Sequence, residues 1–152
     1  MAEARRDKIF ISYSHKDATA LEELTSMLAP GIRAGSVDVW VDTKIAVGAK
    51  WKEAIAEALA SAKVAVLLVS RHFLASEFIA KYELPNLLAA AEKEGVTVFW
   101  IYVSSCLYEQ TEIVNYQAAH DISKPLNRLD DGAREAVLSE ICAKLIRTAK
   151  NP

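Results

Sequence analysis

The chain alternates between two kinds of hydrophobic pattern. Short apolar runs predict buried strands, and longer segments with apolar residues every three or four positions predict amphipathic helices. "KIFISYS" (8–14) reads as a buried strand, followed by "KDATALEELTSMLAP", where Leu21, Leu24 and Met27 recur at helical spacing up to Pro30. "VDVWVD" (37–42) is a second strand, with Val37, Val39 and Val41 on one face and Trp40 on the other. The loop "TKIAVGAK" leads into "WKEAIAEALASA", a short helix with Trp51, Ile55 and Leu59 in line. "KVAVLLVS" (63–70) and "VTVFWIYVS" (96–104) are apolar on both faces. Between them the pattern predicts a helix from Ser76, as N-cap, to about Lys93, ended near Gly95. A last helix is predicted over 132–149, with Val137, Leu138, Ile141, Leu145 and Ile146 apolar. The stretch from Ser105 to Asp131 is less regular: "LYEQTEIVNYQAAHD" reads as a loose helix and "KPLNRL" as a short edge strand.

Strands without polar alternation, separated by helices, indicate a parallel sheet covered on both faces. The expected fold is therefore α/β: a single-domain, flavodoxin-like, doubly wound parallel sheet of about five strands flanked by helices. A length of 152 residues suits one domain with a real core. Hydrophobic content of 52 % and charged content of 25 % fit a globular protein, and a net charge of −2 supplies no basic field for nucleic acid. No apolar run approaches the ~20 residues of a membrane span, and no apolar signal segment follows "MAEARRDK". The expectation is a cytoplasmic domain with no nucleic-acid or membrane partner. Cys106 and Cys142 are too few for a disulfide framework or a zinc site and are expected to be ordinary, partly buried thiols.

Ligands of open parallel sheets bind outside the carboxyl ends of the strands, which here run from Ser12 to His15, Asp42 to Trp51, Ser70 to Ser76, and from Ser104 onwards. Several chemistries fail at those places. There is no GxGxxG after the first strand, no GxxxxGK[ST] and no GxSxG. A phosphoacceptor domain would want acidic residues after the first strand and an aspartate ending the third, where this chain has "SYSHKD" and Ser70. His15, His72 and His120 lack ligand spacing. What remains is a carboxylate. In "SEFIAKYELPNLL" (76–88), Ile79, Glu83 and Leu87 stack along one helical face, so Glu83 sits in an apolar stripe and needs compensation from elsewhere in the fold. Taken singly, Glu83 also reads as a tolerated helix residue, Trp51 as core and Asp42 as a turn or cap.

Taken together, "KIFISYSHKD", "VDVWVDTKIAVGAKW", "AIAEALASAKVAVLLVSRHFLASEFIAKYELP" and the apolar fourth strand resemble a TIR (Toll/interleukin-1 receptor) domain of the kind common in bacterial proteins. The resemblance implies one TIR domain with a core over about 7–150, and the end at "TAKNP" is compatible with an amino-terminal part of a longer protein. It leaves two functions open. Some TIR domains are scaffolds that recruit other TIR domains; others cleave the nicotinamide–ribose bond of NAD+, releasing ADP-ribose or a cyclic isomer, often in bacterial defence. The NAD-cleaving type implies Glu83 as the catalytic carboxylate, with NAD+ as substrate and no further cofactor or metal. It also implies substrate contacts at Trp51, Asp42, Ser12, Tyr13, Ser14, Phe78 and Ile79. Self-association would run through a loop carrying Lys44, Ile45, Val47 and Gly48, where the glycine permits backbone change. One position departs from the family. Many NAD-cleaving relatives have tryptophan four residues before the glutamate, where this chain has Ile79. Phe78 is five residues before Glu83, about 140° away on an ideal helix, and would substitute only if the helix is distorted, for instance by Pro85.

Overall fold

A computed structural model describes residues 7–41 and 51–150, the side chains of Trp51 and Lys52 excepted. The buried runs form β1 (Lys8–Ser12), β2 (Asp38–Val41), β3 (Ala62–Val69) and β4 (Thr97–Tyr102), joined by a two-residue edge strand β5 (Gln117–Ala118). They make one parallel sheet in the order β2-β1-β3-β4-β5. Connections leave β1 toward β2 on one side and, after β2, return to β3 on the other. The sheet therefore has its topological switch between β1 and β3.

Helices cover both faces. α1 (Ala18–Arg33) and α5 (Asp131–Lys150) pack on Ile9, Ile11, Val64, Val66 and Ile101. α2 (Trp51–Ala60) and α4 (Leu84–Glu94) pack on the other face, over Phe10, Ala65, Leu67, Val98 and Trp100. A strand sends alternate side chains to opposite faces, so a strand apolar at every position supplies both cores at once.

Four expectations are corrected. α1 does not stop at Pro30 but runs to Arg33 with the proline inside, and the chain turns at Gly35, whose φ is +74°. Ser76 does cap a helix, its Oγ accepting from Ile79 N–H at 3.3 Å, but a separate short helix α3 (Arg71–Ala75) precedes it, capped by Ser70. "KPLNRL" is not a strand: Leu126–Arg128 is a 3₁₀ turn, and the edge strand is Gln117–Ala118. The expected loose helix breaks into 3₁₀ turns at Tyr108–Gln110 and Glu112–Asn115. Gly95, with φ +75°, ends α4 in the left-handed conformation that glycine adopts without strain.

His120 fastens the edge. Its Nε2 accepts from Tyr102 N–H at 3.0 Å, and its Nδ1 lies 2.9 Å from Asp121 O, so the neutral ring donates from Nδ1. Burial pushes its pKa below the ordinary range, ahead of the opposing pull of the Asp121 carbonyl and carboxylate, and Lys144 lowers it further. Protonation would put a hydrogen on the nitrogen that must accept. Because the folded pKa is depressed, the unfolded chain takes up the proton first. The stability this residue contributes is therefore present above pH ~6.5 and lost as pH falls through the folded pKa. His120→Gln should flatten that fall, read as the change in urea midpoint between about pH 7.5 and about pH 5.

Candidate functional site

At the carboxyl end of the sheet, strand alternation decides which face each residue meets. Ile9 and Ile11, with Tyr13 beyond them, belong to the α1/α5 side, whereas Phe10 belongs to the α2/α4 side and Ser12 follows it by period two. Ser12 is 0 % exposed and its hydroxyl makes no hydrogen bond among the described residues. A buried hydroxyl without a partner is uncommon in a folded core and marks a place where polarity serves something besides packing. The buried polar residues among those described are Ser12, Ser70 and Glu83. Ser12 ends β1, Ser70 directly follows β3, and Glu83 lies on the second helical segment after β3.

Glu83 is 0 % exposed, between Ile79 at 4 % and Leu87 at 0 %. The backbone there is not an α-helix. Over Ile79–Glu83 the chain makes a π turn, in which Leu84 N–H donates to Ile79 O, five residues back, before α4 resumes. Pro85 explains it. Proline has no N–H for the Lys81 carbonyl and its ring crowds that oxygen, so the turn before it widens by one residue. In an i→i+5 turn, residues five apart lie nearly one above the other, as residues four apart do in an α-helix. The widened turn therefore removes the angular objection to Phe78 as a neighbour of Glu83. Phe78 is half-buried against the α2/α4 core, its ring 5.9 Å from that of Tyr82.

The other expected site residues divide. Ile79 is a core residue beneath Glu83. Tyr13, 6 % exposed, joins the α1/α5 core with its ring edge-on to His15, and so is not brought to the face that carries Glu83. Ser14 Oγ accepts from Lys16 N–H at 3.3 Å and caps the turn His15–Asp17. Trp51 begins α2. Asp42, Lys44, Ile45, Val47 and Gly48 lie outside the described residues.

One polar link escapes a sequence reading. Ser70 Oγ donates to Asp17 Oδ2 and accepts from Phe73 N–H, tying the turn after β1 to the start of α3. The partners are 53 positions apart and no local pattern joins them. Cys106 and Cys142 are free thiols, and burial pushes Cys142 up to about 12, which leaves it protonated and unreactive near neutrality. Among the described residues, no three His, Cys, Asp or Glu side chains gather as a metal site, and no helix is long and apolar enough to cross a membrane.

A buried carboxylate on a distorted turn is an arrangement suited to holding a polar or cationic group away from water. Comparison with known proteins gives the family. A protein of Sinorhizobium fredii (strain NBRC 101917 / NGR234), described as uncharacterized protein y4lF, is 26 % identical over 150 residues, covering 95 % of this chain and 46 % of the relative. The chain thus spans about half the length of that curated relative. The family model of the TIR domain matches residues 9–137, which takes in β2 to β5 and all of β1 but its first residue, and the chain belongs to the TIR domain family.

Proposed function

We propose that this TIR domain is an NAD+ nucleosidase, breaking the nicotinamide–ribose bond to give nicotinamide and either ADP-ribose or a cyclic isomer. The observation that carries the reading is Glu83: a fully buried carboxylate on a π turn of the helix that follows the third strand. π turns are rare and recur at functional sites. The chemistry asks for one carboxylate. Nicotinamide leaves as a neutral molecule from a cationic ring, taking the bonding electrons with it, so no acid is needed to protonate the leaving group and the carboxylate pair of glycosidases is unnecessary. Positive charge then grows on the ribose. Glu83 would oppose it and hold the ribose hydroxyls, an interaction strongest in the transition state. Water, or a nucleophilic atom of the adenine end in the cyclic case, takes the vacated position and releases a proton. Ser12, on the same sheet face, offers a hydroxyl to the substrate, and Phe78 an aromatic surface.

Because Glu83 is 0 % exposed in the single chain, NAD+ would reach it only through an opening motion or a rearrangement on association. Self-association, common among TIR domains, is part of the proposal, and activity should rise with protein concentration. The test is chromatography of NAD+ and its products for concentrated wild type and Glu83→Ala, with and without a crowding agent. Nicotinamide from wild type alone supports the enzyme. No nicotinamide from either protein under any assembly condition leaves a TIR scaffold instead.

A further inference from the structure

A cavity opens at the carboxyl end of the sheet, on the face opposite Glu83. Its volume is about 360 Å³, within the range of small-molecule sites. It lies beside the switch between β1 and β3, where open α/β sheets place their ligands. Its walls come from the turn after β1, the starts of α1 and α3, the end of β4 and the first turns of α5. Glu83, Ser12 and Phe78 are not among its lining residues.

The chemistry of the walls is mixed in an ordered way. The floor is apolar, built from Leu24, Leu68, Ile101 and Leu138. Two acidic groups line the cavity and both are engaged: Glu23 receives Arg134 at 3.0 Å, and Asp17 accepts from Ser70. The cations Lys16 and Arg71 also line it, both exposed and making no ion pair among the described residues. Thr19, Ser104 and Asn127 add hydroxyl and amide groups at the rim. An acyl chain would leave those rim groups unanswered, and a bare anion would leave the floor empty. A ligand matching all three zones has a flat apolar ring, a hydroxylated middle and one anionic end.

We propose that this cavity binds a nucleoside monophosphate, ring on the leucine and isoleucine floor and phosphate between Lys16 and Arg71. The site is separate from the Glu83 face and does not depend on the reading of that face. Arginine presents a forked donor that matches phosphate geometry, and lysine adds a point charge.

The test titrates the full chain with AMP, and with adenosine as its uncharged counterpart, following amide and methyl signals by NMR. AMP should move the signals of Ala20, Leu68, Ile101 and Leu138, and adenosine should bind at least about tenfold more weakly. Lys16→Ala combined with Arg71→Ala, both at exposed positions, should raise the AMP Kd by about tenfold or more while leaving the other methyl signals in place. The proposal is overturned if no cavity signal moves at about 10 mM AMP, if adenosine binds as well as AMP, or if the shifts fall only around Ile79 and Leu87.

Discussion

Glutamine in place of Glu83 should lower nicotinamide release from NAD+ by about 10²–10³-fold. Glutamine keeps the size and shape of the side chain and so the packing between Ile79 and Leu87, but it carries no charge to set against the ribose cation. That cation exists fully only near the transition state, so the loss should fall on kcat more than on KM. Single-turnover measurement of nicotinamide release at saturating NAD+ isolates the bond-breaking step. Equal loss in KM and none in kcat would make Glu83 a binding group alone.

The largest effect on stability is expected at Trp100. The residue is 2 % exposed at the centre of β4 and its Nε1–H donates to Tyr116 O at 3.0 Å. Its ring lies 4.7 Å from that of Tyr108 and 6.0 Å from that of Tyr102. Trp100→Ala removes the ring, opens a cavity beside Tyr102 and Tyr108, and leaves the Tyr116 carbonyl without its donor. The cost should be about 3–5 kcal/mol, against about 5–15 kcal/mol for a whole domain. Urea unfolding should show the midpoint falling with little change in slope. A loss under about 1 kcal/mol would mean that the segment from Leu107 to Tyr116 collapses onto the gap.

Much of this architecture is legible in the sequence because its signals are short-range. β3 and β4 are apolar at successive positions, which only a sheet covered on both faces accommodates. Ser76 and Gly95 mark the bounds of the helix that carries Glu83 because each acts on its own backbone neighbours. The π turn is different. Ile79, Glu83 and Leu87 read as one helical face whether or not the turn is widened, since residues four apart stay neighbours in either kind of turn. Only Pro85 hints at it. The division of Ser12 from Tyr13 was available from period two, which sends neighbouring residues to opposite faces. The region from Ser105 to Asp131 was not, because its 3₁₀ turns are held by long-range packing: Ile113 and Tyr116 on one core, Leu126 and Leu129 on the other. The Asp17–Ser70 link has the same character, since its partners are 53 positions apart.

The central claim is that this TIR domain breaks the nicotinamide–ribose bond with Glu83. The most direct measurement is ¹H NMR of NAD+ incubated with wild-type protein over a series of rising protein concentrations. Free nicotinamide should appear mole for mole as the nicotinamide-ribose anomeric signal of NAD+ disappears, at a rate that climbs faster than protein concentration. An NAD+ spectrum unchanged at every concentration, with the protein folded and associated, would contradict the claim.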